Sequence, residues 1–116
     1  MSIQLSYLDP ETRQIRSQIL DPPIAIGRDL SRISTQFNGD RLSPLLLSAT
    51  DVSRFHAIIT WDGDRLIVLD RNSAGGTQVN QVPQQQCILT NGDRLQIGSY
   101  EITVNFPIAP LPNPSP

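Results

Sequence analysis

Two β-rich runs flank a turn in the stretch HAIITWDGDRLIVLD, which extends from His56 to Asp70. Isoleucine, valine, threonine and tryptophan favour strands on both sides of the turn. The central Asp62-Gly63-Asp64 supplies a glycine that tolerates the positive φ of a tight connection. The stretch therefore predicts a β-hairpin with strands over residues 56–61 and 65–70.

Apolar and polar residues alternate along most of the chain. In residues 100–106 the apolar side chains share one face and the polar side chains share the other, which indicates a strand half covered by a core. No window of a dozen residues carries a helical spacing. The further predicted strands and apolar runs are residues 3–7, 13–20, 24–26, 45–47 and 94–98, and the polar stretch 29–43 is interpreted as a loop. About ten short strands at this spacing predict an all-β sandwich whose loops cluster at its two ends.

The chain has the length of one domain. Its 116 residues are 38% hydrophobic and 17% charged, a balance that can bury a core. The alternating pattern stops at residue 106, and five of the ten residues from 107 to 116 are proline. We expect a folded domain over residues 1–106 and a proline-rich tail over 107–116 that links it to further domains of a parent protein.

Charge and cysteine content narrow the classes of partner. The formal net charge is -2, which argues against a surface built for nucleic acid or a membrane. With one cysteine, Cys87, and one histidine, the chain holds neither an internal disulfide nor a closed zinc site of Cys and His ligands. No apolar run approaches the length of a membrane span. We expect a cytoplasmic protein with no metal and no cofactor.

Three segments concentrate residues that strand packing does not require. They are Gly27-Arg28, Ser53-Arg54-Phe55-His56 and Gly75-Gly76-Thr77-Gln78-Val79-Asn80. All nine basic residues are arginine, whose guanidinium fork suits a tetrahedral oxyanion, and a serine hydroxyl and glycine-rich backbone add donors. The chain has no G-x-x-x-x-G-K-[ST] loop, so a phosphorylated side chain fits this donor set better than a nucleotide.

These segments, together with Leu89-Thr90-Asn91-Gly92-Asp93-Arg94-Leu95-Gln96-Ile97-Gly98, resemble the forkhead-associated (FHA) domain over about residues 24–104. The four motifs stand in the family's order with compatible spacing. The resemblance implies an eleven-stranded β-sandwich that binds phosphothreonine peptides with the loops at one end. The implied function is phosphopeptide recognition in Ser/Thr kinase signal transduction, with a phosphothreonine-containing protein as partner.

Carried over residue by residue, the resemblance implies roles for nine positions. Arg28 and Ser53 contact the phosphate and Arg54 lies beside it, while Asn80 contributes to specificity. Gly75 stands where the family has an asparagine that holds the peptide main chain. The residues implied to support the binding loops are Gly27, His56, Gly76 and Thr77. Arg28 also precedes Ser53 by 25 residues, which indicates an insertion around residues 29–43.

Two other functions remain open at this stage. Ala74-Gly75, in place of a polar residue and asparagine, is compatible with a phosphate-independent assembly domain that keeps the fold. Ser53 and His56 would suggest a hydrolase, but residues three apart in an extended segment point to opposite faces and no third catalytic group is evident. We therefore expect a binding domain and not an enzyme.

Overall fold

The computed structural model describes residues 1–106 and contains thirteen short strands in that range. The strands are β1 Ile3–Leu8, β2 Ile15–Leu20, β3 Ile24–Gly27, β4 Gln36–Phe37, β5 Asp40–Arg41, β6 Ser43–Leu46, β7 Ala57–Asp62, β8 Arg65–Asp70, β9 Thr77–Val79, β10 Val82–Pro83, β11 Gln86–Leu89, β12 Arg94–Ile97 and β13 Tyr100–Asn105. The proline-rich tail predicted at 107–116 lies outside the described residues. Within 1–106, no helix is long and apolar enough to cross a membrane.

Two large sheets form the sandwich. A six-stranded sheet has the order β10-β9-β12-β13-β1-β2, and a five-stranded sheet has the order β11-β8-β7-β3-β6. All pairings are antiparallel except that of β3 with β6. The prediction of an all-β sandwich is confirmed.

The core lies between the two sheets and is built from the alternating positions of the strands. On β1, Ile3 and Leu5 are fully buried while Gln4 and Ser6 between them are only partly covered. On β13 the same alternation buries Ile102 and Val104. The central strand β3 is buried along its whole length, as its position between β7 and β6 requires.

The structure corrects the sequence prediction in the segment 29–43. This segment was predicted to be a loop, but it contains the small hairpin β4–β5, paired as Gln36 with Arg41 and Phe37 with Asp40. Asn38 and Gly39 both have positive φ, 51° and 84°, at the turn. An Asn-Gly pair suits such a turn, because asparagine and glycine adopt this conformation more readily than other residues. This hairpin and the two-residue strand β10 raise the strand number above the ten to eleven expected.

A second correction concerns the start of β2. The strand was predicted from Arg13, but it begins at Ile15. Arg13 has a φ of 58°. Its N–H donates to the Asp9 carbonyl oxygen over 2.8 Å, and the Asp9 N–H donates to the Gln14 carbonyl oxygen over 2.9 Å. Two residues thus oppose one, which is the geometry of a G1-type β-bulge.

Candidate functional site

The end of β3 lies against the segment that precedes β7. Backbone hydrogen bonds run from Arg28 N to Ser53 O, 3.0 Å, and from Asp29 N to Arg54 O, 3.1 Å. A Cβ added at Gly27 would lie 2.0 Å from the Arg54 carbonyl oxygen. The two backbones approach this closely because position 27 has no side chain, and the approach sets Arg28 beside Ser53.

His56 connects the loops from beneath. Its side chain is fully buried, and the Ser53 N–H donates to its Nδ1 over 3.1 Å. Since Nδ1 accepts that hydrogen bond, the proton of the neutral ring is on Nε2, which donates to the Gly76 carbonyl over 2.9 Å. Both ring nitrogens therefore hold backbone groups, and neither contacts the Ser53 hydroxyl as a catalytic base would.

The loop between β8 and β9 is shaped by Asp70. Its carboxylate accepts hydrogen bonds from the Ser73 N–H at 3.1 Å, from the Ser73 hydroxyl and from the Thr77 hydroxyl at 2.8 Å. Burial is the largest influence on the pKa of Asp70 and raises it, but the hydrogen bonds from Ser73 and Thr77 together lower the pKa below its usual value. Thr77 is itself buried. An Asp-x-x-Ser turn is the sequence signal that could have identified Asp70 and Ser73.

The same loop reaches the serine of the neighbouring loop. Ala74 N donates to Ser53 Oγ over 2.9 Å, so this oxygen is an acceptor within the protein. The hydroxyl proton remains available to an external acceptor. The Ser53 side chain is thereby fixed in position without using its donor.

These loops line one open depression on the surface. The lining residues are Arg28, Thr50, Asp51, Val52, Ser53, Arg54, Phe55, Ala74 and Gly75. Arg28 donates its Nε to Val52 O over 3.0 Å, which aims the side chain while its terminal nitrogens make no hydrogen bond within residues 1–106. Arg28 and Arg54 are both exposed. Two guanidinium groups and one hydroxyl donor around a shallow depression can hold a tetrahedral dianion.

Four of the predicted site residues therefore meet in this depression: Arg28, Ser53, Arg54 and Gly75. Gly27, His56, Gly76 and Thr77 lie behind or beside it and hold its loops, as described above. A Cβ at Gly75 would have one neighbour, the Asp51 carbonyl oxygen at 3.9 Å, so the position has room for a larger side chain.

Asn80 lies apart from the other predicted residues. Its Nδ2 donates to Asp93 Oδ1 over 3.0 Å, and its Oδ1 accepts from Arg94 N over 3.0 Å. The backbone N–H of Asn80, at a φ of 50°, also donates to Arg94 O over 2.8 Å. The amide nitrogen and oxygen each make one of the hydrogen bonds that join the end of β9 to the start of β12, and Asn80 does not line the depression that contains Arg28.

The side chains of residues 1–106 form no metal site. Within residues 1–106, no group of three or more His, Cys, Asp or Glu side chains is arranged to hold a metal ion. Asp93, the acidic side chain beside Asn80, is engaged in hydrogen bonds from Thr90 as well.

The sequence model of the FHA domain matches residues 24–98, which is most of the chain. The chain belongs to the FHA domain family. Among curated relatives, the FHA domain-containing protein FhaA of Mycobacterium tuberculosis is 45% identical over 60 residues, which cover 52% of this chain and 11% of FhaA. An oxoglutarate dehydrogenase inhibitor of Corynebacterium jeikeium is 40% identical over 60 residues, 52% of this chain and 42% of the inhibitor. The matched segment thus spans less than half of the length of these relatives.

Solved FHA domains superpose on most of this FHA domain. A domain studied for phosphothreonine-dependent FHA interactions has a TM-score of 0.67 at 34% identity, covering 96% of this chain and 100% of the other. The FHA domain of FhaA, in complex with the intracellular domain of Rv3910, has a TM-score of 0.63 at 34% identity, covering 90% of this chain and 100% of the other. The FHA domain of CT664 from Chlamydia trachomatis, at 19% identity and a TM-score of 0.70, shares the fold.

Proposed function

We propose that this FHA domain is a recognition module that captures phosphothreonine-containing segments of a partner protein in Ser/Thr kinase signalling. The observation that carries the proposal is the convergence of Arg28, Ser53 and Arg54 on one exposed depression. A phosphate monoester carries close to two negative charges at neutral pH, and paired arginine donors distinguish it from an unmodified hydroxyl. The role is binding, so it needs no cofactor, and a partner phosphorylated by a Ser/Thr kinase points to the cytoplasm.

The related structures support the same chemistry. The FhaA domain, which is 34% identical to this chain, is complexed with the intracellular domain of another protein. The domain matched with a TM-score of 0.67 was studied for phosphothreonine-dependent interactions. We assign this interaction in the present chain to the side chains that line the depression.

Gly75 distinguishes this depression from that of a domain with an asparagine there. Glycine offers no side-chain donor or acceptor to the peptide main chain. A missing hydrogen bond costs about 1 to 3 kcal/mol, which is roughly a five- to hundredfold loss of affinity. We therefore expect capture to depend more heavily on the phosphate contacts than on the peptide backbone.

The test is calorimetric titration of the 116-residue chain with a phosphothreonine peptide library and with the unphosphorylated peptides. Arg28→Ala and Ser53→Ala each remove a charge-assisted phosphate contact and are expected to weaken capture by at least about tenfold. Arg65→Ala is the matched control, because Arg65 is exposed at the far end of the β7–β8 hairpin. Equal affinity of the Arg28→Ala or Ser53→Ala variant and the native chain would refute the proposal, as would an equal loss in Arg65→Ala.

A second candidate function is phosphate-independent assembly through the same fold, favoured by Ala74-Gly75. The Gly75→Asn variant separates the two functions. Measurable phosphopeptide binding by the native chain supports recognition. A native chain that binds no phosphopeptide, together with a Gly75→Asn variant that does, supports assembly.

A further inference from the structure

Among residues 1–106, β2 is an edge strand of the six-stranded sheet, with no further strand paired to its outer side. It has six residues and no proline. The other edge strands of the large sheets are shorter: β10 has two residues and contains Pro83, β6 has four and contains Pro44, and β11 has four. Short strands and prolines discourage pairing at a sheet edge, so β2 is the edge that lacks this protection.

The outer face of β2 carries two exposed isoleucines on either side of Ser17. Ile15 is 80% exposed and Ile19 is 61% exposed, and Leu8, which pairs with Ile15 on the neighbouring strand, is 53% exposed. Side chains of this size are costly to leave in water. They share one face because alternate residues of a strand point the same way.

The bulge determines which backbone groups of β2 face outward. Asp9 and Gln14 form a hydrogen-bonded position, with Asp9 N donating to Gln14 O. Hydrogen-bonded and non-hydrogen-bonded pairs alternate along an antiparallel ladder, so the next pair, Leu8 with Ile15, is non-hydrogen-bonded. The N–H and C=O groups of Ile15, Ser17 and Ile19 therefore point away from β1, toward the open edge.

The sequence around this edge is complementary to itself about Ser17. Reversing β2 about that residue sets Ile15 opposite Ile19 and brings Arg13, in the bulge before the strand, to the same end of the pair as Asp21, which follows the strand. Arg13 and Asp21 are both exposed and carry opposite charges. Ser17 falls opposite itself, and its outward backbone groups are those that a two-fold pair would join.

We propose that β2 is a self-association surface, which pairs in antiparallel register with β2 of a second copy of this chain about a two-fold axis at Ser17. The two six-stranded sheets become continuous across this axis. Backbone hydrogen bonds then form at Ser17 and at each Ile15–Ile19 pair, and the exposed isoleucines of both copies cover one another. None of these residues lines the depression that contains Arg28, so the proposal stands independently of phosphopeptide capture.

Oxidative cross-linking tests the register. In a Cys87→Ala background, Ser17→Cys places two thiols at opposed positions, where the Cα atoms are about 5.5 Å apart and within disulfide range. Ile19→Cys is the matched control on the same face, since its symmetry mate lies about four residues away along the ladder, roughly 13 Å. We expect covalent dimer from Ser17→Cys and little from Ile19→Cys. Equal cross-linking of both variants, or none of either, would overturn the proposal.

Sedimentation of the 116-residue chain over a range of concentrations tests the association itself. The native chain is expected to dimerise, and Ile19→Lys to weaken the dimer by about tenfold or more, because each substitution is felt at two symmetric pairs. Ile88→Lys, at an exposed residue of β11, is the control and should leave the dimer unchanged.

A charge exchange completes the design. Arg13→Asp alone places two acidic residues together at each end of the pair and should weaken the dimer, whereas the double variant Arg13→Asp with Asp21→Arg should recover it. Monomer at every concentration, or failure of the double variant to recover, would contradict the register. Thermal unfolding of each variant checks that the fold is retained.

Discussion

The substitution Gly27→Ala isolates the close approach on which the site depends. The new methyl group would lie 2.0 Å from the Arg54 carbonyl oxygen and 2.9 Å from Leu30 Cδ2. The leucine side chain can rotate away, but the carbonyl belongs to a backbone that is tied to β3, since His56 N donates to Ile26 O over 2.8 Å. Relief therefore requires the two backbones to separate by more than an ångström.

That separation breaks two hydrogen bonds at the same place. They are Arg28 N to Ser53 O and Asp29 N to Arg54 O, at 3.0 and 3.1 Å. Overpacking costs about 1 to 3 kcal/mol, and each lost hydrogen bond about 1 kcal/mol, so the free energy of unfolding should fall by roughly 3 to 5 kcal/mol. Because Arg28 and Ser53 also move apart, phosphopeptide affinity should fall in the fraction that remains folded.

The assay is urea denaturation followed by calorimetric titration below the unfolding transition. Gly75→Ala is the matched control, because it adds the same methyl group to the other wall of the depression, where its single neighbour lies at 3.9 Å. We expect the urea midpoint to fall for Gly27→Ala and to stay nearly constant for Gly75→Ala. If Gly27→Ala unfolds at the native midpoint and binds with native affinity, the close approach does not determine the site.

Three further predictions concern the loops. His56→Ala removes the ring that joins Ser53 N to Gly76 O, so unfolding should occur at a lower urea concentration. Phosphopeptide capture should also be lost, although His56 is buried and cannot touch the peptide. Unaltered capture would contradict the positioning role. Gly75→Asn should strengthen capture by roughly five- to hundredfold at an unchanged unfolding midpoint, as measured by calorimetry, since the position has room for the side chain. The pKa of Asp70 is lowered in the folded state, so its contribution to stability is complete above the unfolded pKa of about 4 and is lost as the pH falls through the folded pKa. Between pH 6 and acid pH, the urea midpoint should therefore fall less in Asp70→Asn than in the native chain. An equal fall in both would oppose this assignment.

The sequence predicted the parts of the fold that local chemistry determines. The hairpin β7–β8 was predicted from Asp62-Gly63-Asp64, and Gly63 indeed has a φ of 62° at the turn. Gly92, in the Asn91-Gly92-Asp93 segment just before β12, has a φ of 89°. In both places a glycine at a positive φ separates two runs that contain buried apolar residues, so the signal and its structural cause are adjacent in the chain.

The hairpin β4–β5 was missed because its strands carry no such alternation. Gln36, Asp40 and Arg41 are exposed, and Phe37 is only partly covered. Asn38-Gly39 was the available signal, but the segment around it is mostly polar and was interpreted as a loop. This hairpin lies between Arg28 and Ser53, in the segment that the sequence predicts to be an insertion.

The placement of Asn80 could not be predicted from neighbours in sequence. Its partners, Asp93 and Arg94, are thirteen and fourteen residues further along and meet it only after β9 pairs with β12. By contrast, the family motifs predicted that Arg28 and Ser53 lie at the same end of the sandwich, and both line the depression. Which side chains face the depression depends on long-range pairing, which the motifs themselves do not encode.

The pairing of β1 with β13 has a consequence for biosynthesis. Gln4 lies opposite Asn105, so β1 must wait for β13 to be made before their ladder can form. The six-stranded sheet can therefore close only after residues 100–105 have left the ribosomal exit tunnel. A nascent chain halted earlier exposes Ile3 and Leu5, because β13, the strand that lies between β1 and β12, is missing. Release of β13 from the ribosome thus becomes the step that commits this domain to its native state.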